Sequence, residues 1–277
     1  MNMDHYQEIQ LIYRKKAEND FSPSTGVPGA QRYCAFDIYP EFYKEYNFNR
    51  ILDIGPGGGD NLEKLTSIYP DAELHAWDIE KSILQKYILG KFPNIKLSRF
   101  ALGKDDLQEN LSSKFDFIIA TSIIPLIPNE EKPKAFRTLH ELLSPGGLCL
   151  VSNLPWGANS NEMRKYMGKN IPLKGIHSLI LQFFTALTFK LKLDKQYSAH
   201  VGKSQSLKRS ITQKEKDLMS GLQSQEEYFA LFNKIGLKLV KAKPYEQPSW
   251  LYYPMSMKKI FFPLIAENSM TVLLMKE

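Results

Sequence analysis

The sequence predicts an α/β protein built on a mostly parallel, seven-stranded sheet with helices on both faces. Three observations carry that expectation. From residue 50 onward, short apolar runs alternate with helical patterns. Each strand–helix pair takes roughly 20 to 30 residues, the length of a unit that returns the chain to a parallel sheet. A glycine-rich turn, "GPGGG" at 55–59, separates the first apolar run from the first helix.

The elements follow in order. "RILDIG" (50–55) reads as a buried strand and "DNLEKLTSIY" (60–69) as the helix after it, where Asp60 and Glu63 have the spacing of a capping box. "AELHAWD" (72–78) is a second strand, "IEKSILQKYILGKF" a helix, and "NIKLSRFAL" (94–102) a third strand. "FDFIIAT" (115–121) is apolar almost throughout, as a strand covered on both faces should be. "KPKAFRTLHELL" (132–143) places Phe136, Leu139, Leu142 and Leu143 on one helical side, "SPGG" (144–147) reads as a turn, and "LCLVSN" (148–153) is the fifth strand.

The alternation then breaks. Residues 154–223 carry no clear strand pattern and read as a helical insert after the fifth strand. The sheet resumes with a helix at 224–236, opened by a Ser224/Glu227 capping box and stopped by Gly236. "LKLVKAK" (237–243) alternates as an edge strand should, and "SMTVLLMKE" (269–277) is the last strand, after a second insert at 245–268. The expected organisation is a single domain over 1–277, with an N-terminal helical segment at 1–48.

Composition bounds the function. Over 277 residues, 43% hydrophobic content suffices for a core and excludes a disordered chain. A net charge of +6 permits an anionic partner without requiring one. Cys34 and Cys149 stand far apart, outside any metal-ligand spacing, which suits a reducing compartment. No secretory signal is visible, and "SLILQFFTALTFKLKL" (178–193), the most apolar stretch, is interrupted by Gln182, Lys190 and Lys192. A soluble, cytoplasmic protein is the expectation.

"ILDIGPGGGDNLEKL" (51–65) identifies the ligand class by elimination. A triphosphate loop needs G-x-x-x-x-G-K-[ST], and no lysine stands in that place. A dinucleotide loop needs G-x-G-x-x-G, and counting from Gly55 its third glycine falls on Asp60, whose charge would repel a pyrophosphate. Asp53-x-Gly55-x-Gly57-x-Gly59 remains, a glycine loop flanked by acids, which suits a cation better than a polyphosphate. At the end of the second strand, Asp78 follows at close to the roughly 20-residue spacing of a ribose-binding acid, and it could equally cap the next helix.

This pattern resembles the class I S-adenosylmethionine-dependent methyltransferases, over roughly residues 48–153 and 224–277. The resemblance implies a Rossmann-like fold and S-adenosylmethionine as cofactor, with S-adenosylhomocysteine as product. It implies cofactor contacts from Asp53, Gly55, Pro56, Gly57 and Gly59, from Asp78 to the ribose and from Ile79 to the adenine. The exit of the Phe-Asp strand, at Thr121 and Ser122, would border the methionine part. The third strand departs from the family pattern, because Ala101 and Leu102 stand where an acid usually meets the adenine amine; a backbone amide there is the expected substitute.

The acceptor is expected to be a small, apolar or aromatic molecule, methylated on oxygen or nitrogen. "TSIIPLIP" stands where relatives that methylate base amines carry Asn/Asp-Pro-Pro-aromatic, and no added RNA-binding module is visible, so no nucleic-acid partner is expected. An RNA methyltransferase, and a cofactor-binding regulator without transfer activity, are the alternatives. The 178–193 segment reads as an amphipathic lid or a packing helix, with membrane-surface docking less favoured. Trp156 and Arg32 are candidates for substrate contact, and Tyr33 and His200 for catalysis. His75 and His140 read as structural, and His5 as lying near a mobile end. The sequence leaves the oligomeric state open.

Overall fold

A computed structural model describes residues 3–19, 42–43, 45–107, 114–155, 225–247 and 264–277. Most of the 154–223 and 245–268 inserts, and the candidates Arg32, Tyr33, Trp156 and His200, lie outside the described residues.

The first element is helix α1, His5–Glu18, which the sequence reading placed only as part of a helical segment. Asp4 caps it: its carboxylate accepts the Gln7 amide while the Gln7 side chain accepts the Asp4 amide, a reciprocal pair that satisfies two free donors. Then come β1 (Arg50–Ile54), α2 (Asp60–Ile68), β2 (Glu73–Asp78) and a short helix α3 (Lys81–Ile83). The latter runs on as a π-helical turn over Leu84–Leu89. β3 (Lys96–Arg99), β4 (Phe115–Thr121), α4 (Lys132–Leu142) and β5 (Leu143–Pro155) follow, and α5 (Gln225–Ile235), β6 (Leu237–Gln247) and β7 (Leu264–Lys276) complete the chain.

The seven strands form one sheet in the order β3-β2-β1-β4-β5-β7-β6. The pairs among β3, β2, β1, β4 and β5 are parallel, and β7 runs antiparallel to both β5 and β6. The sheet is therefore mixed at one end, and β6 is an edge strand, as its alternating sequence indicates. The strand order reverses between β1 and β4, and ligands of open α/β sheets bind outside the carboxyl ends at such a point.

β4 shows why the sequence reads as continuously apolar. Phe115 and Ile118 pack into the core on one face, Phe117 and Ile119 into the core on the other, and all four are fully buried. On the first face, Phe136 of α4 meets Phe232 of α5 at 4.9 Å between ring centres. On the second, Phe48 stacks on Phe117 at 4.3 Å. The start of β1 is pinned by Asp116, whose carboxylate accepts the Asn49 amide at 2.9 Å and the Arg50 amide at 3.1 Å.

Three expectations need correction. The Asp60/Glu63 capping box does not form: the cap is Gly59 in the left-handed region, without a side-chain bond, and Asp60 is already helical. "SPGG" is not a free turn but lies inside β5, as an irregularity where Leu143 pairs with Phe115 and the next pair is Leu148 with Phe117. The third strand is shorter than read, because residues beyond Phe100 turn back, with the Lys104 and Asp105 amides donating to the Ala101 carbonyl. Gly236, by contrast, ends α5 with φ +78, and Cys149 is buried in β5. Among the described residues, no helix is long and apolar enough to cross a membrane.

Phe117→Ala empties a site covered from both sides by aromatic and aliphatic carbons. It is expected to cost about 3–5 kcal/mol of unfolding free energy, read as a fall in the midpoint of chemical denaturation with unchanged slope.

Candidate functional site

The loop after β1 is shaped by backbone that side chains tolerate poorly. Gly55, Gly57 and Gly59 have φ of +68, +55 and +86. A Cβ on Gly55 would collide with the Ile123 side chain, and one on Gly59 would come within 2.7 Å of the Phe92 ring. Glycine is therefore required at both positions for room as well as for conformation. Ile88, in the π-helical turn, backs the loop beside Phe92, and Lys91 donates to the Gly58 carbonyl at 3.4 Å.

Beneath this loop, Asp53, next to last in β1, is fully buried, and neither carboxylate oxygen has a hydrogen-bond partner. Burial pushes the Asp53 carboxyl up to about 8, the charges of Asp60 and Asp78 push the same way, and the Asn61 amide opposes them. Asn61, nearly buried in the first turn of α2, also donates to the Thr121 hydroxyl at 3.5 Å, so it ties the loop to the exit of β4. A buried carboxylate without a donor is costly and calls for a cationic partner.

Asp78 ends β2, one strand over, and is 6% exposed. One of its oxygens accepts the Glu80 amide at 2.8 Å, and burial pushes its carboxyl up to about 7. It does not cap the next helix; Glu80 does, by accepting the Ser82 amide. Burial raises the Glu80 carboxyl, but the Ser82 donors and the Arg14 guanidinium outweigh it and hold the group below the ordinary range. Ile79, between these two acids, is half-buried.

At the exit of β3, Ala101 and Leu102 are both buried, and their peptide groups are partly committed. The Ala101 amide donates to the Asp105 carboxylate at 2.9 Å, so the substitute expected at this residue is already engaged. The Leu102 carbonyl accepts from the Tyr6 hydroxyl at 3.3 Å.

Helix α1 connects the loops at this end of the sheet. His5 Nε2 donates to the Leu126 carbonyl at 2.8 Å, Tyr6 reaches Leu102, and Arg14 pairs with Glu80 at 3.3 Å. Lys104 meets Asp4 at 2.6 Å, and Lys86 donates to the Ala17 carbonyl. His5 is thus anchored rather than placed near a mobile end. His75 bonds Glu73 at 2.6 Å, and His140 lies on α4 against Gly236, both in structural settings.

Two positions that sequence reasoning did not assign to an acceptor stand out at the ends of the central strands. Ser122, just past β4, and Asn153, in β5, each have φ +59, and among the described residues no other non-glycine has positive φ. No sequence pattern marks a serine for this conformation; asparagine's tolerance of it is the one available signal.

A glycine loop with an acid beneath it, a second acid at the next strand end, and a sheet ordered 3-2-1-4-5-7-6 with β7 reversed together define a Rossmann-like α/β fold. Residues 52–149 match the family model described as "Methyltransferase domain". A protein of Rickettsia prowazekii (strain Madrid E) is 32% identical over 124 residues, 43% of this chain and 48% of that one. The trans-aconitate 2-methyltransferase of Deinococcus radiodurans is 30% identical over 107 residues, 39% of this chain and 38% of that one. The chain thus matches half or less of the length of these relatives. The N-methyltransferase NodS from Bradyrhizobium japonicum WM9, solved with S-adenosyl-L-homocysteine, shares the fold at TM-score 0.52 and 10% identity, covering 96% of this chain and 98% of that one.

The two raised carboxyls make the ligand-free protein pH-sensitive. In the folded state Asp53 and Asp78 hold protons up to about 8 and about 7, whereas unfolded aspartate releases them near 3.8. Their contribution to stability is therefore present at acid pH and is lost as pH rises towards 8. Asp53→Asn is expected to flatten, without abolishing, the fall of the denaturation midpoint between about pH 5 and pH 8.

Proposed function

We propose that the protein transfers a methyl group from S-adenosylmethionine to a small, largely apolar or aromatic acceptor. The observation that carries the reading is the partnerless, buried Asp53 carboxylate under a glycine loop. S-adenosylmethionine brings a sulfonium and an ammonium and no phosphate, so its charge complements this acid. The acidic first turn of α2, with Asp60 and Glu63, would oppose a phosphate at the same place.

In this reading Asp53 faces the cationic end of the cofactor, and Gly55, Pro56, Gly57 and Gly59 let the backbone approach it. Asp78 takes the ribose hydroxyls through the oxygen not committed to Glu80, and Ile79 packs on the adenine. Ala101 and Leu102 border the adenine, and Thr121, steadied by Asn61, borders the methionine part. The cofactor when bound supplies an activated methyl on a good leaving group. The protein's own residues then need to bind, orient and exclude water, because alignment provides much of the acceleration in such a displacement.

Titration calorimetry with S-adenosylhomocysteine tests the site. Gly57→Asp and Asp78→Ala are expected to weaken binding at least about tenfold. Because the Asp53 proton must leave when a cation arrives, S-adenosylmethionine affinity is expected to fall by up to about tenfold per pH unit below 8, with proton release detectable from buffers of different ionisation heat. Labelled-methyl transfer into cell extract, fractionated into small molecules, RNA, lipid and protein, tests the acceptor class, with purified trans-aconitate as a separate arm. Label in the small-molecule fraction is the expected outcome. Label in RNA would replace this reading with the RNA-methylating one, and cofactor binding without transfer to any fraction would leave a regulator of the same fold.

A further inference from the structure

Ser122 and Asn153 stand side by side at the carboxyl end of the sheet. Thr121 of β4 pairs with Ser152 of β5, so the next residues of the two strands are neighbours, and the Ser122 amide donates to the Ser152 carbonyl at 3.0 Å. Their side chains are joined: the Asn153 amide nitrogen donates to the Ser122 hydroxyl oxygen at 3.2 Å. Both are half-buried. Ser122 lies just past β4 and Asn153 near the end of β5, and Ser122 precedes Ile123, whose side chain packs on Gly55 of the candidate cofactor loop.

The backbone is bent to hold them there. The pairing of β5 with β7 shifts register between Val151 and Leu154, so Ser152 and Asn153 bulge opposite Thr271. Bulges of this kind re-aim side chains and gather beside active sites. Behind the pair lies a buried polar layer, with the Thr271 hydroxyl donating to that of Ser152 at 3.5 Å. Strained, non-glycine conformations on two adjacent strands, joined by their own side chains at the ligand end of the sheet, are where function is to be sought.

We propose that Ser122 and Asn153 form the subsite holding the methyl acceptor's reacting group, and that this group is a hydroxyl. The inference rests on the methyl-transfer reading above. Ser122 spends its oxygen on Asn153, which leaves its hydroxyl proton to donate, and Asn153 keeps its carbonyl oxygen to accept; neither has a further partner among the described residues. A hydroxyl matches that offer in full: one lone pair accepts from Ser122, its proton goes to Asn153, and the second lone pair is left for attack. An amine must spend its single lone pair on attack and leaves the serine proton unanswered. An ionised carboxylate has no proton for Asn153. As the acceptor oxygen bonds to the methyl carbon, the carbon–sulfur bond breaks with its electron pair on sulfur, S-adenosylhomocysteine leaves, and the hydroxyl proton passes to water.

The test uses Ser122→Gly and Asn153→Gly, which remove the side chains while suiting the backbone. The full-length variants are assayed for transfer of labelled methyl from S-adenosylmethionine into the small-molecule fraction of extract, for S-adenosylhomocysteine binding and for thermal unfolding. Each variant is expected to lose at least about tenfold in transfer, to bind S-adenosylhomocysteine within about twofold of wild type, and to melt no lower than wild type. Labelled products are expected to pass through a cation-exchange column in acid. A product retained there as a methylated amine, methylation of purified trans-aconitate, or wild-type transfer by both variants would each overturn the hydroxyl subsite while leaving methyl transfer in place. A lower melting temperature with loss of S-adenosylhomocysteine binding would show the pair to be structural and also overturn it. No transfer by the wild-type protein would overturn the methyltransferase reading, and the subsite with it.

Discussion

The carboxylate of Asp53 sets the constraint around which this end of the molecule is organised. β1 lies inside the sheet, flanked by β2 and β4, and its last residues are buried. An acid placed there loses its water, and the Asn61 amide offsets that loss only in part. Ordinary packing would replace it with an aliphatic side chain at a gain in stability. The proposed cofactor accounts for its presence, as a positively charged ligand that reaches it across a glycine loop in left-handed conformations. Asn61 softens the cost from one side, and Phe92 and Ile88 hold the loop from the other.

The rest of the crevice is built to the same sign. Asp78 and Glu80 stand together at the end of β2, and Asp60 opens α2. Helix α1 is fastened to the loops that follow β2, β3 and β4, by Arg14, Tyr6 and His5 respectively. Each link is a single polar contact of modest worth, but together they fix three separately flexible loops to one rigid rod. Against the effect of its burial, Ser82, with Arg14 adding to it, holds the Glu80 carboxyl down beside the Asp78 carboxyl, which burial drives towards the neutral form.

Much of this was legible in the residues because it rests on local rules. The alternation of apolar and helical patterns places every strand, with β4 read at both ends, and Gly236 marks the end of α5 where its φ demands glycine. Elimination among glycine loops works because each ligand chemistry needs a different residue at a fixed position: the triphosphate loop lacks its lysine, and Asp60 stands where a dinucleotide loop needs glycine. What escaped depends on tertiary contact. The capping box at Asp60 fails because Gly59 takes the cap position in a left-handed conformation that lets Phe92 approach. The Ala101 amide reads as free in the sequence and is taken by Asp105, four residues on, because the chain turns back after β3. The docking of α1 joins His5 to Leu126, a link across 121 residues that no local pattern encodes.

The two halves of the crevice solve the same backbone problem differently. On the β1 side, where the chain must enter left-handed conformations, glycine supplies them at Gly55, Gly57 and Gly59. On the β4 and β5 side Ser122 and Asn153 also take positive φ, at a cost of roughly 1–2 kcal/mol for the serine and less for the asparagine. Glycine at those two positions would remove the cost and satisfy the backbone equally well. It would also remove the hydroxyl and the amide. The cofactor side needs space, because its ligand is held by approach of the main chain and by a charge from beneath. The acceptor side needs groups that distinguish one reacting atom from another, and a main chain alone offers no such choice. On the proposed reading, the positive φ at Ser122 and Asn153 is the cost of keeping polar side chains at the point where the methyl is delivered.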